Sequence, residues 1–60
     1  MTLDEMKKHI TEHIDAEIKD AEKYESLAAS HPDYAGIFRD MARDERCHAK
    51  MLRHVLEHAE

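Results

Sequence analysis

Apolar residues recur along this chain with the period of an α-helix. Leu3, Ile10 and Tyr24 fall on a seven-residue spacing, with Glu17 at the step between the last two. Met6, Ile14, Ala21, Leu27 and Ala28 fill the three- and four-residue offsets beside them, which is the stripe of an amphipathic helix. Lys8, Glu12, Lys19, Glu22 and Lys23 mark the opposite, solvated face. Neither Gly nor Pro interrupts the pattern before Pro32, so it predicts a first helix over about residues 3–29. Thr2-Leu3-Asp4-Glu5 has the form of a capping box at its start. Asp4 and Glu5 also suit the positive end of the helix dipole.

Ser30-His31-Pro32-Asp33 is the one break. A residue before proline avoids the α region, and proline suits the first turn of a new helix. A second helix is predicted from about Pro32 to residue 58. Its stripe reads Tyr34, Phe38, Met41, Glu45, His48, Leu52, Val55, Ala59, with steps of 4 and 3 alternating throughout. Ile37 and Met51 widen it on one side, Ala42 and Ala49 on the other. Gly36 costs about 1 kcal/mol of helix propensity and suits a close approach between helices. So short a link forces two long helices to lie antiparallel. The expected fold is all-α, one helical hairpin spanning residues 1–60.

Three polar residues interrupt the apolar seams: Glu17 in the first helix, Glu45 and His48 in the second. Glu45 and His48, three apart, share a helix face. Counted from the turn at about 1.5 Å per residue, all three stand roughly 20–25 Å away, level with one another. No Lys or Arg lies on either stripe at that height, and Lys19 and Arg46 point elsewhere. Burying such groups unpaired costs several kcal/mol per ion. A divalent metal ion held by Glu17, Glu45 and His48 accounts for the placement. One hairpin supplies only half of a bundle. Two, related by a twofold axis, make a four-helix bundle holding two copies of Glu17 and of the Glu45/His48 pair. That is the ligand set of a carboxylate-bridged dimetal bundle. Oxygen-rich ligation with one imidazole per ion favours Fe or Mn. The competing reading is a structural polar layer in which Glu17 and His48 pair and fix register.

Composition narrows the partners. The net charge of −5 argues against nucleic acid and anionic membranes. No apolar run approaches the roughly 18 residues of a membrane span, and the acidic start does not resemble a signal peptide. A single cysteine, Cys47, excludes an intrachain disulfide and suits a reducing cytoplasm. A chain of 60 residues needs some staple. Metal and self-association remain.

Glu17 with Tyr24 seven residues later, and Asp44-Glu45-x-x-His48 on the next helix, resemble half of a ferritin-like domain of the rubrerythrin and bacterioferritin group. The resemblance covers nearly the whole chain. It implies a di-iron site, with manganese or a mixed Fe/Mn pair possible, in which Glu17, Glu45 and His48 are ligands and Glu45 bridges the metals. Asp44 would hydrogen-bond a ligand histidine of the opposing helix pair, and Tyr24 would stand beside the ligands as a phenol. The implied activity is oxidoreductase chemistry of the peroxidase or ferroxidase type with O2 or H2O2. The group usually carries four helices in one chain, so a homodimer of hairpins must substitute, as in short encapsulin-associated relatives. The chain has no Cys-x-x-Cys module, so an electron donor would be a separate protein. Two alternatives stand beside this reading: a non-catalytic metal-binding dimer, and a helical interaction module. His13 and Asp20 lie near enough to add a ligand or proton route. His9, His31, His54, His58 and Cys47 fall outside the seam, and Met6, Met41 and Met51 read as core fillers.

Overall fold

The computed structural model describes residues 1–60. Helix α1 spans Leu3–Ser30, and helix α2 spans Ala35–His58 after a 3-10 turn at Pro32–Tyr34. The two helices lie side by side as a rod of 45 × 14 × 13 Å. No helix is long and apolar enough to cross a membrane.

The ends of α1 follow its sequence. Glu5 N donates to Thr2 Oγ1 at 3.1 Å, and Thr2 N donates back to Glu5 Oε1 at 3.3 Å, which closes the capping box. At the other end His31 leaves helical geometry (φ −131°, ψ 78°), and its N–H donates to Leu27 O at 2.9 Å. The turn then differs from the expected clean start at Pro32. Pro32 has no N–H, and no side chain caps at His31. The backbone tightens instead, with Tyr34 N donating to His31 O at 3.0 Å, and the α-helix proper begins at Ala35.

The line of closest packing is made of small residues. Ile14, Ala21 and Ala28 on α1 and Ala35, Ala42 and Ala49 on α2 are the buried residues of the chain. Each set keeps a strict seven-residue spacing, so each stays on one edge of its helix. Alanine lets two backbones approach closely, and a larger side chain would hold them apart. Beside this line runs a half-buried one, with Ile10, Glu17 and Tyr24 on α1 and Phe38, Glu45 and Leu52 on α2. Tyr24 and Phe38 stack with ring centroids 6.5 Å apart and planes inclined by 16°. On the other flank of α1 Ile18 is half-buried, and Leu56, half-buried, continues the line of Ala35, Ala42 and Ala49.

Much of the expected inner stripe is therefore not covered within one hairpin. Leu3, Leu27, Tyr34, Met41 and Val55 are exposed, as are Ile37 and Met51. The apolar arc of α2 is wider than one neighbouring helix can cover, and α1 takes the alanine edge of it. Cys47 is exposed.

Gly36 does not mark a close approach. A Cβ built there meets nothing within 4 Å, and its neighbour Ala35 carries the contact instead. With no steric demand and no positive φ, Gly36 only loosens the unfolded chain. Gly36→Ala is expected to stabilise the protein by about 0.5–1 kcal/mol, a rise of a few degrees in melting temperature. Thermal unfolding followed by circular dichroism checks this.

Candidate metal centre

Glu17 occupies the middle of α1, where Ile14 and Ala21, on either side of it, hold that stretch against α2. Glu45 and His48 face it from consecutive turns of α2. One ligand atom from each of Glu17, Glu45 and His48 lies within 4.8 Å of the other two, and no other group of three or more such side chains in the chain does so. The structure thus brings together the three residues that interrupt the apolar seams. The side chain of Glu17 is 13% exposed and that of His48 is 54% exposed.

Glu17 Oε2 is shielded from solvent and has no hydrogen-bond partner. His48 Nδ1 stands 3.5 Å from it, at the limit of hydrogen-bond reach and without the geometry for one. The other oxygen, Oε1, lies 3.2 Å from His13 Nε2, one turn earlier on α1. A shielded, unpartnered carboxylate oxygen is costly, and it points to the two other donor groups of the cluster.

The two carboxyl groups polarise each other. Glu17 is held below the usual carboxylate range, chiefly by the Glu45 carboxyl beside it. The charge and close approach of His48 and the charge of His13 act in the same direction, and burial opposes them. Glu45 is pushed above that range by the Glu17 carboxylate beside it, then by burial and by the charge of Asp20, with His48 opposing. Without a cation, the pair keeps a proton on Glu45 and a negative charge on Glu17. A divalent ion would replace that proton and satisfy Oε2. The oxygen and nitrogen donors present suit iron or manganese better than thiolate-preferring metals. A Glu17–His48 ion pair without metal would require Glu45 to keep its proton.

The remaining candidates separate clearly. His13 touches Glu17, a contact implied by the i, i+4 spacing alone. Asp20 reaches Glu45 only through its charge and stands 4.0 Å from Lys23. Asp44 is exposed, 3.9 Å from Arg43. Tyr24 packs on Phe38.

A family model described as Rubrerythrin matches residues 8–60, a stretch that holds both carboxylates, both contacting histidines and all of α2. The chain belongs to the rubrerythrin family. No curated protein and no solved structure matches it. Rubrerythrin-family proteins typically bind iron, and the donor cluster of this rubrerythrin-family hairpin is made of groups that iron accepts.

Proposed function

We infer that this rubrerythrin-family chain is a di-iron or mixed Fe/Mn carboxylate protein, with its site formed between two hairpins, acting as an oxidoreductase on O2 or H2O2. The observation that carries this reading is the shielded, unpartnered Glu17 Oε2 beside Glu45 and His48. Three donors per hairpin leave a dimetal set half built, and a twofold pair of hairpins would complete it. The surface supports the pairing. The hairpin exposes 4641 Å², against about 4000 Å² for a compact monomer of its mass. The excess includes Leu27, Met41 and Val55, and His48 opens on the same side. Asp44, one turn from both Met41 and His48, is open to a second hairpin.

Glu17, Glu45 and His48 would hold the metal, with Glu45 giving up its proton as the ion binds and His48 ligating as neutral imidazole. When bound, iron supplies the electrons that reduce O2 or H2O2. The chain itself positions and shields. His13 braces Glu17 Oε1, and the Tyr24–Phe38 stack closes the seam toward the turn. The electron donor would be a separate protein.

The 3.5 Å approach of His48 to Glu17 favours a second reading, a polar layer that fixes pairing without metal. Metal analysis of protein from iron-supplemented cells, combined with its mass in solution, separates the two. Roughly two metals per dimer, and reoxidation of the reduced protein by O2 or peroxide, are expected. A metal-loaded dimer that does not turn over would make this a binding protein. A folded, metal-free dimer indifferent to chelators would establish the polar layer, and a metal-free monomer would end both readings.

A further inference from the structure

The flank of α2 turned away from the donor cluster carries a row of cations. Arg39, Arg43, Arg46, Lys50 and Arg53 follow one another at steps of 4, 3, 4 and 3, the spacing that keeps side chains on a single helix face. The buried alanines Ala42 and Ala49 separate this flank from the other. Arg46 follows Glu45 in sequence but is turned about 100° from it around the helix, and it reaches Glu25 of α1 on the far side. The chain as a whole stands at −5, so these five cations leave the remainder at −10. Opposite charge is thus gathered on one narrow strip of an acidic molecule.

The hairpin neutralises this strip only in part. Arg46 donates to both oxygens of Glu25, at 2.7 and 3.3 Å. Arg43 pairs with Asp40 at 3.2 Å and more loosely with Asp44 at 3.9 Å. Arg39, Lys50 and Arg53 make no ion pair, since the chain's other pairs involve His13, Lys23 and His48. Two shallow grooves of about 310 and 130 Å³ run along the row, floored by Ala42 in one and by Ile18 and Ala49 in the other. Holding cations together without partners opposes folding through their mutual repulsion. A bound anionic segment would relieve it.

We propose that this row is a docking surface for an acidic segment of a partner protein, lying along α2 in the grooves between the helices. Length and charge choose the partner. From Arg39 to Arg53 the row extends about 21 Å along the helix, and beyond it lies an acidic surface. An extended segment of about six residues fits within the strip. A longer polyanion would run onto like charge at both ends. A flat anionic bilayer would meet the acidic α1 as well as the row. Because the row faces away from His48 and Met41, the surface stays free whether or not two hairpins pair through the other face, so the proposal does not depend on the metal.

The test uses the intact chain and a poly-glutamate peptide of about six residues, matched to the row in length when extended. Binding is followed by fluorescence anisotropy at low salt and again at physiological salt. One variant, Arg39→Gln/Lys50→Gln/Arg53→Gln, removes the unpaired cations of the row. A second, Lys7→Gln/Lys8→Gln/Lys19→Gln, removes three from α1. Each moves the net charge from −5 to −8, and circular dichroism confirms that each is helical. The peptide is expected to bind the parent chain, to weaken as salt rises, and to bind the α2 variant about tenfold less tightly while the α1 variant binds like the parent. Equal loss in both variants would reduce the effect to net charge and overturn the proposal, as would no binding at low salt. A DNA duplex that bound the row more tightly than the peptide would overturn the choice of an acidic protein.

Discussion

A Glu45→Gln substitution is expected to abolish metal binding while making the metal-free protein more stable. Gln keeps the size of Glu45 and can still donate an N–H to Glu17, so the interaction that most lowers Glu17 survives. What disappears is the charge that a divalent ion requires and that the metal-free site resists. The pH dependence follows from the raised folded-state value of Glu45, which starts from 4.5. Below that unfolded value the carboxyl is protonated in both states, and the parent and the variant gain alike. As pH rises, the unfolded chain releases the proton first. The folded parent then loses stability until pH has passed through the raised value. The variant has no such loss, so its advantage is absent well below 4.5 and reaches full size once pH has passed the raised value. Glu17 runs the other way in both proteins: its lowered value contributes stability above 4.5 that is lost on acidification. Denaturant unfolding in chelator at several pH values, with metal analysis of each protein, checks the prediction. Full metal retention, or a variant less stable at every pH, would remove Glu45 from the site. Marked destabilisation of the parent by chelator alone would instead identify the metal as a structural staple.

The hairpin and its cluster were legible in the sequence for different physical reasons. Thr2 and Glu5 announce the start of α1 through spacing alone, because a capping box is local chemistry. The turn is equally local, though Pro32 gives a tight 3-10 start where an α-helix was expected. Glu17, Glu45 and His48 could be placed level because a straight helix rises evenly and the turn is short. The line of closest packing was less legible. Periodicity defines an apolar arc but not which part of the arc faces the neighbour. Residue size decides that, and Ala21, Ala28, Ala42 and Ala49 win it because they let the backbones meet. Tyr34, Met41 and Val55 are left outside for the same reason, Ile18 joins the core from the flank, and Leu56 extends the alanine line of α2. The His13 contact with Glu17 was present as an i, i+4 spacing but competes with many such pairs in a chain rich in charge. The cationic row was equally present, and the net acidity of the chain hid it.

Replacing Met41 and Val55 together by glutamate is expected to yield a monomer that no longer retains metal. Both side chains are exposed in the single hairpin, at 37% and 43%, so neither is needed to hold α1 against α2. Both flank His48 on α2, by seven residues each way, and so lie on the face that a second hairpin would cover. Covering the two-fifths of each that is still exposed is worth about 0.7 kcal/mol or more. Two per hairpin, counted in both hairpins, give about 3 kcal/mol, or some two orders of magnitude in the dissociation constant. Four added carboxylates per dimer would repel one another and increase the effect. The consequence for metal follows from geometry: one hairpin offers Glu17, Glu45 and His48 alone, and a half set binds an ion far less tightly than a closed one. The hairpin itself would be left with a buried core of Ile14 and five alanines, so its helicity should fall and become dependent on temperature rather than on protein concentration. Sedimentation over a range of concentrations, alongside metal analysis, reads both effects. Lys8→Gln/Lys19→Gln, which makes the same change in net charge on the solvated face of α1, is the control and should leave mass and metal unchanged. If the Met41/Val55 variant kept the parent's mass, the pairing face would have to lie elsewhere. If it became monomeric yet kept its metal, the site would be complete within one hairpin.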